Sequence, residues 1–280
     1  MTSSNWPSSP RLQRYLQYLG WGGLFVYIGL LLMLYLVWYS QSKQTGFHFF
    51  DDSAQWLQMD KYGHCFTAFH LSWAVYSWMV WAGATSHKAS WQAAGIGFLL
   101  MLPIEILDGF SASYGFSWAD VAANALGAFL FSAQIRLMGG LKLLPKFSFH
   151  PTAFAPQRPN VLGNGWSQEW LKDYNGQTYW LSIPLGAICK TQHWFTNGIC
   201  LSIGLGAEQM IYARNPENWT VGLTPYRQLY VGIDFDLRAI PVQHTWLFFL
   251  FRLLNLLKCP LPAFEWAMAG GSFLWHTYYF

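Results

Sequence analysis

The first apolar run sets the tightest limit on what this chain can fold into. Residues 15–39, YLQYLGWGGLFVYIGLLLMLYLVWY, contain no charged side chain, and a helix needs about 20 such residues to cross a bilayer. Arg11 and Arg14 precede the run, and aromatic residues lie at both of its ends, as interfacial anchors do. A cleaved signal peptide has a shorter apolar core of about 7–15 residues. We therefore expect a retained membrane anchor.

Composition indicates that the rest of the chain also lacks an ordinary water-facing surface. Only 10% of the residues are charged and 53% are hydrophobic, whereas a soluble domain carries about 25% charged residues. The net charge of +3 and the lack of a basic run argue against nucleic acid as a partner. The four cysteines have no C-x-x-C spacing and are interpreted as small apolar fillers. The missing polar surface must face lipid or another protein.

Three further apolar segments predict a helical membrane domain. Residues 62–86, 89–107 and 117–135 are long and carry few charges, and their small and polar residues are typical of helices that pack on each other. Together with the first run they predict a mainly α fold, a membrane bundle of about four helices. The distribution of lysine and arginine favours a cytoplasmic N-terminus for this multi-pass bundle.

The C-terminal half predicts a smaller mixed α/β region. Residues 198–207 and 226–237 alternate like strands, and residues 245–258 predict a short interfacial helix. The final Phe280 resembles the end of the closing strand in outer-membrane barrels. The predicted divisions are an N-terminal anchor and flank (1–46), a helical domain with a polar core (47–146) and the C-terminal mixed region (147–280).

Polar side chains within the apolar segments come in pairs at helical spacing. The members of each pair are three or four residues apart, so both side chains face the same way. Ionisable groups cost roughly 2.5–3.5 kcal/mol each on insertion into a bilayer, so a chain that keeps several is expected to use them. If successive helices alternate in direction, the three pairs lie near one membrane face. The pairs are Asp60 and His64, Glu105 and Asp108, and Asp120 and Asn124.

Such a cluster suits three kinds of chemistry. Carboxylates with an imidazole suit a divalent metal ion. Crowded carboxylates can also share a proton and catalyse, with Glu105 as general base, His64 as acid or metal ligand, and Asp120 as orienter or metal ligand. The third alternative is a polar ligand such as a lipid headgroup, with Lys61 contacting phosphate. The metal candidates are His64, Glu105, Asp108 and Asp120. The ligand-binding candidates are Asp60, Lys61, His64, Glu105, Asp108, Ser117, Asp120 and Asn124.

Structural roles compete with these functional ones. Ser117 and Asp120 have the S-x-x-D spacing of a capping box, Asp60 could cap its helix, and Asp108 precedes a glycine in a common turn dipeptide. A helix-capping role does not explain His64 or Glu105, so a functional role is favoured for these two residues.

The same residues carry a family resemblance. Asp60-Lys61-x-x-His64, Glu105-x-x-Asp108-Gly109 and Ser117-Trp118-x-Asp120-x-x-x-Asn124-x-x-Gly127 resemble the YfiM-like family of uncharacterised, predicted periplasmic lipoproteins. The start and the end of this pattern are more distantly similar to the VanZ-like membrane proteins. Residues 172–182, KDYNGQTYWLS, resemble the long version found in Bacteroidota. The resemblance implies a place in the cell envelope and no established activity. No lipid-accepting cysteine follows the first apolar run, so lipid anchoring does not carry over.

The sequence therefore predicts a membrane-embedded bacterial envelope protein. Its favoured role is to bind a polar ligand, metal ion or lipid headgroup at the cluster, or to support envelope assembly. The alternatives are an enzyme acting on a lipid or cell-wall precursor and a structural subunit of an envelope complex. No nucleophile motif, phosphate loop or dinucleotide fingerprint stands out, which disfavours an enzyme. The cofactor is unknown, and a divalent metal fits. The expected partners are membrane lipid and other envelope proteins, in the inner membrane, with the outer membrane or periplasmic side as alternatives.

Overall fold

The computed structural model describes residues 10–39, 42–191 and 193–280. Residues 1–9, 40 and 41 of the predicted N-terminal region, and the side chain of Arg11, lie outside this description. The chain forms two compact units. The first unit comprises Met1–Asp52 and Thr67–Gly140, and the second comprises Ser53–Phe66 and Leu141–Phe280.

The first unit is built from long helices. The hydroxyl of Tyr27 donates a hydrogen bond of 2.6 Å to the carbonyl of Leu100, which fixes the first helix against the third. The last helix starts at the cap residue Ser117 and ends before Gly139, whose left-handed conformation suits glycine. The long helices of the chain are α1 (Pro10–Trp38), α2 (Met59–Trp81), α3 (Ser86–Gly109) and α4 (Trp118–Met138).

Small residues allow α2 and α3 to approach closely within the first unit. A Cβ atom added at Gly97 would lie 2.2 Å from Oγ and 2.7 Å from the backbone nitrogen of Ser72. Ala89, Ala93 and Ala94 on the same helix are also buried. This small-residue packing is the kind that brings membrane helices together, and it explains why the segment is rich in alanine and glycine.

Among the described residues, three helical segments are long and apolar enough to cross a membrane. In α1 the qualifying segment is Gly20–Trp38, and none of its most apolar stretch is buried, whereas 33% of that in α3 and 44% of that in α4 is buried. The α2 helix is not one of these segments. The prediction of a multi-pass inner-membrane protein with four spans is therefore not supported.

The second unit contains a six-stranded antiparallel sheet. Its strands follow one another in sequence order, β1 to β6, so each strand pairs with its neighbours along the chain. The strands are β1 (Leu144–Phe149), β2 (Gln177–Pro184), β3 (Ile199–Glu208), β4 (Tyr226–Phe235), β5 (Leu261–Ala267) and β6 (Ser272–Tyr279). The connections include α5 (Pro159–Leu162), α6 (Trp166–Lys172), α7 (Leu185–Cys189), α8 (Trp194–Gly198), α9 (Asn215–Thr220) and α10 (Thr245–Leu254).

This sheet corrects the predicted fold class. The part of the chain that the structure describes contains ten α-helices and a six-stranded sheet, so a mainly α, four-helix membrane bundle is wrong. The prediction gave weight to long apolar runs and missed β1, β5 and β6, which are strands of only six to eight residues. The start of α2 also belongs to the second unit, where Met59 packs in a core with Ala207 and Met210.

One side of the sheet is lined by buried polar side chains around an ion pair. Nζ of Lys146 lies 2.8 Å from Oδ2 of Asp234, and both side chains are 0% exposed. The hydroxyl of Ser182 donates to the same oxygen at 2.6 Å, and the backbone N–H of Cys259 donates to Oδ1 at 2.8 Å. Lys146 also donates to the carbonyl of Phe235 at 2.7 Å. These bonds satisfy both charges where water cannot reach them.

A second polar group extends along the same side. Oε1 of Glu265 accepts from the amide of Gln228 at 2.8 Å, and Oε2 lies 2.7 Å from Nε2 of His276. Tyr230 and Tyr279 pack beside it with ring centroids 4.7 Å apart. This side of the sheet is therefore lined by aromatic and hydrogen-bonded side chains.

We predict that Asp234→Asn destabilises the second unit by about 3–5 kcal/mol, because it leaves the buried ammonium of Lys146 without its counter-charge. The measurement is the free energy of unfolding from a urea titration in mild detergent. The exposed Glu217→Gln serves as a charge-matched control and should change it by less than about 0.5 kcal/mol. Equal stabilities for the two variants would contradict this account of the interior.

Candidate functional site

The candidate site of the first unit lies at the end of α3 and the start of α4. Glu105 and Asn124 are both fully buried, and Nδ2 of Asn124 donates a hydrogen bond of 2.8 Å to Oε1 of Glu105. Glu105 lies about one turn before α3 ends, and Asn124 lies in the second turn of α4. The bond therefore joins two helices that run in sequence with a short loop between them.

Asp120 extends this pair into a chain of three carboxylates. A carboxylate oxygen of Asp120 lies within 4.8 Å of one of Glu105, and likewise within 4.8 Å of one of Asp52. Ser117 connects the members: its Oγ donates to Oδ1 of Asp52 at 2.5 Å and accepts the backbone N–H of Asp120 at 3.1 Å. Asp120 thus lies close to a carboxylate on either side, and carboxylate oxygens are the ligands that hard cations prefer.

Asp52 was missed by the sequence analysis. It lies before α2, outside any helix, so it has no partner at helical spacing. The only signal was the pair Asp51-Asp52 ahead of an apolar segment. Ser117, predicted as a cap, does cap α4, and its side chain also contacts the acidic cluster.

Asp108, also a predicted ligand, contacts tyrosine. The hydroxyl of Tyr39 donates to Oδ1 of Asp108 at 2.7 Å. Burial raises the pKa of Tyr39, and the negative charge of Asp108 raises it further. Burial, with a smaller contribution from Asp108, raises the pKa of Tyr114 to about 12. Both phenols therefore stay neutral at physiological pH, so Tyr39 can donate to this carboxylate.

The loops beside the cluster are held by backbone pairing. The N–H of His48 donates to Gly109 at 2.9 Å, and the N–H of Phe50 donates to Phe116 at 3.0 Å, which places Asp52 two residues further along. Gly109 lets this loop pack closely, since a Cβ there would lie 2.4 Å from the ring of Phe47 and would force that ring to move. Aromatic side chains pack around this pairing: Phe47, Phe49, Phe110, Phe116 and Trp118.

The remaining predicted residues belong to the second unit. Asp60 and Lys61 form an ion pair of 2.9 Å in the first turn of α2, and His64 is half-buried on the same helix. Tyr62 packs against Tyr179 with ring centroids 6.2 Å apart. Burial, with a smaller effect from Asp60, raises the pKa of Tyr179. The role of these residues as ligands stays a prediction.

Part of the chain is similar to one known protein family. Residues 46–135 match the model of a family described as predicted periplasmic lipoprotein (DUF2279). No curated protein and no solved structure matches the chain. The match spans Asp52 to Asn124 and so includes every member of the carboxylate cluster. It supports a likeness to uncharacterised, envelope-associated proteins, whereas it does not support the YfiM-like or VanZ-like names. A Bacteroidota source stays a prediction.

We predict that Ser117→Ala lowers the free energy of unfolding by about 0.5–2 kcal/mol, the usual effect of losing an N-cap. Ser117→Thr keeps a hydroxyl and should lose much less. Thermal unfolding followed by circular dichroism compares the two variants with the wild type. If alanine and threonine are equally tolerated, the hydroxyl does not support the cluster.

Proposed function

We propose that this chain is an envelope protein anchored by α1 and that its first unit binds a cationic ligand at Asp52, Glu105 and Asp120. The ligand is a divalent metal ion or the cationic group of a polar molecule. The observation that carries the proposal is the approach of two almost fully buried carboxylates, Glu105 and Asp120, to within 4.8 Å.

Electrostatic repulsion between Glu105 and Asp120 is the reason to expect a cation there. Two unit charges at this separation repel by about 3 kcal/mol at an effective dielectric constant of about 20. A cation between the carboxylates turns this repulsion into attraction. Carboxylates are ligands that magnesium, calcium and manganese prefer, and each of these ions takes several oxygen ligands. Asn124, already bonded to Glu105, holds that carboxylate in place.

The surface of the first unit supports anchoring in a membrane. No residue in the most apolar stretch of α1 is fully buried, so much of the surface of this helix can contact lipid. Phe49 and Trp118 are exposed and stacked, with centroids 6.1 Å apart, beside the start of α4. Aromatic side chains at the ends of apolar helices are typical of the membrane interface.

The sequence-based hypothesis adds Asp60, Lys61, His64 and Asp108 to the binding residues. Measuring the ligand occupancy of His64→Gln and Asp108→Asn, beside that of Glu105→Gln, tests this hypothesis. A structural role is the second candidate, and the hydrogen bond between Asn124 and Glu105 favours it, because a buried bond between two helices stabilises their packing.

We predict that the gently solubilised wild type carries about one metal ion or polar molecule per chain, and that Glu105→Gln loses it. The glutamine retains an oxygen that can accept the hydrogen bond from Asn124, so the variant should fold. Elemental analysis and native mass spectrometry measure the occupancy. Added Mn²⁺ at about 100 times its Kd should stabilise the wild type by about 2.7 kcal/mol and leave Glu105→Gln unchanged.

Glu217→Gln, an exposed change of the same kind, is the matched control and should retain the ligand. An empty wild type that Mn²⁺ does not stabilise, with Glu105→Gln only less stable, would make the cluster a structural element. Retention of the ligand in Glu105→Gln would place the binding elsewhere.

A further inference from the structure

The sheet of the second unit presents an apolar row across five strands. Residues that pair directly between neighbouring strands form the row, so their side chains lie on the same face. Each is exposed, by 39% to 59% of its surface. In strand order the row is Leu181, Ile203, Val231, Phe264 and Trp275.

The opposite face of the same strands is buried and combines hydrogen-bonded polar side chains with the aromatic rings of Trp180 and Tyr230. Ser182 and Ser202, each one residue from the apolar row, are fully buried and hydrogen-bonded to each other at 2.7 Å. Asp234 receives the bond from Ser182 and pairs with Lys146. Along this part of the sheet, exposed apolar side chains therefore alternate with buried ones, several of which are polar and hydrogen-bonded to each other.

An exposed row of apolar side chains on a sheet is unfavourable in water. A sheet in a soluble protein buries its apolar face and exposes polar residues, whereas strands in contact with lipid alternate apolar-out and polar-in. We infer that lipid acyl chains cover the apolar row, so that the second unit itself contacts the membrane. The partner is a bilayer, and its hydrocarbon matches an aliphatic and aromatic surface without charge.

The connections at one end of the sheet agree with this placement. The link from β2 to β3 contains α8, with Trp194 and Phe195 exposed, and the link from β4 to β5 contains α10, with Trp246 and Phe249 exposed. Both links leave the same end of the antiparallel sheet. Exposed aromatic residues on short helices are typical of the headgroup region of a membrane.

The edge strand β1 also has backbone hydrogen-bond partners on its outer edge. Phe147 accepts a backbone hydrogen bond from Lys258 and donates one to Leu256, each of 2.9 Å. This pairing satisfies backbone groups that would be costly to leave bare in lipid.

The test uses a photoreactive, diazirine-bearing amino acid placed singly in the full-length chain at Ile203, Val231 or Thr220. Thr220 is exposed in α9, away from the row, and is the control. The protein is reconstituted into vesicles of phosphatidylethanolamine and phosphatidylglycerol and illuminated. Mass spectrometry then identifies the adduct formed at the labelled position. Only variants with the circular dichroism spectrum of the wild type are scored, and Leu201 and Ile233, also exposed on this face, replace any that misfold.

We expect phospholipid adducts at Ile203 and Val231 at a yield at least tenfold above that at Thr220, where the water adduct should dominate. Water adducts at all three positions would overturn the inference. Crosslinked dimers at Ile203 and Val231 without lipid adducts would also overturn it, because the row would then be covered by a second copy of the chain.

Discussion

The second unit depends on the ion pair between Lys146 and Asp234. Both charges are fully buried, and the cost of removing them from water is offset only because serine, backbone and carbonyl partners complete their hydrogen bonds. The pair joins β1 to β4, two strands that are not neighbours in the sheet. The inner face of the sheet carries this ion pair together with buried aromatic rings, whereas the apolar row Leu181 to Trp275 lies exposed on the outer face.

The first unit follows a related rule on helices. Glu105 and Asn124 are buried at the junction of α3 and α4, while α1 leaves its most apolar stretch uncovered. Asp120 adds a second buried carboxylate, and Ser117 fixes its position through the helix cap and the bond to Asp52. The loops beside the cluster are paired through backbone hydrogen bonds, which help to position Asp52. Carboxylates this close together are suited to hold a cation, and this is the basis of the proposed function.

Much of the helical part could be predicted from sequence, whereas only part of the sheet could. Residues 89–107 and 117–135 lie almost wholly within α3 and α4, since their composition and length indicate helices directly. The strands predicted at 198–207 and 226–237 correspond to β3 and β4, which alternate regularly. The strand β1 was missed because Lys146 argues against a buried strand until its partner Asp234 is known, 88 positions later. In β6, exposed residues follow one another without alternation. Asp52 was missed for a similar reason, since only the folded loop brings it to Asp120.

The central claim is that Glu105 and Asp120 hold a cation between them. A crystal structure of the protein soaked in Mn²⁺, with anomalous difference data, tests this most directly. The account predicts an anomalous peak at bonding distance from carboxylate oxygens of both residues, with Asp52 beside it. Anomalous density elsewhere, or none, with the two carboxylates bonded only to protein groups, would contradict it.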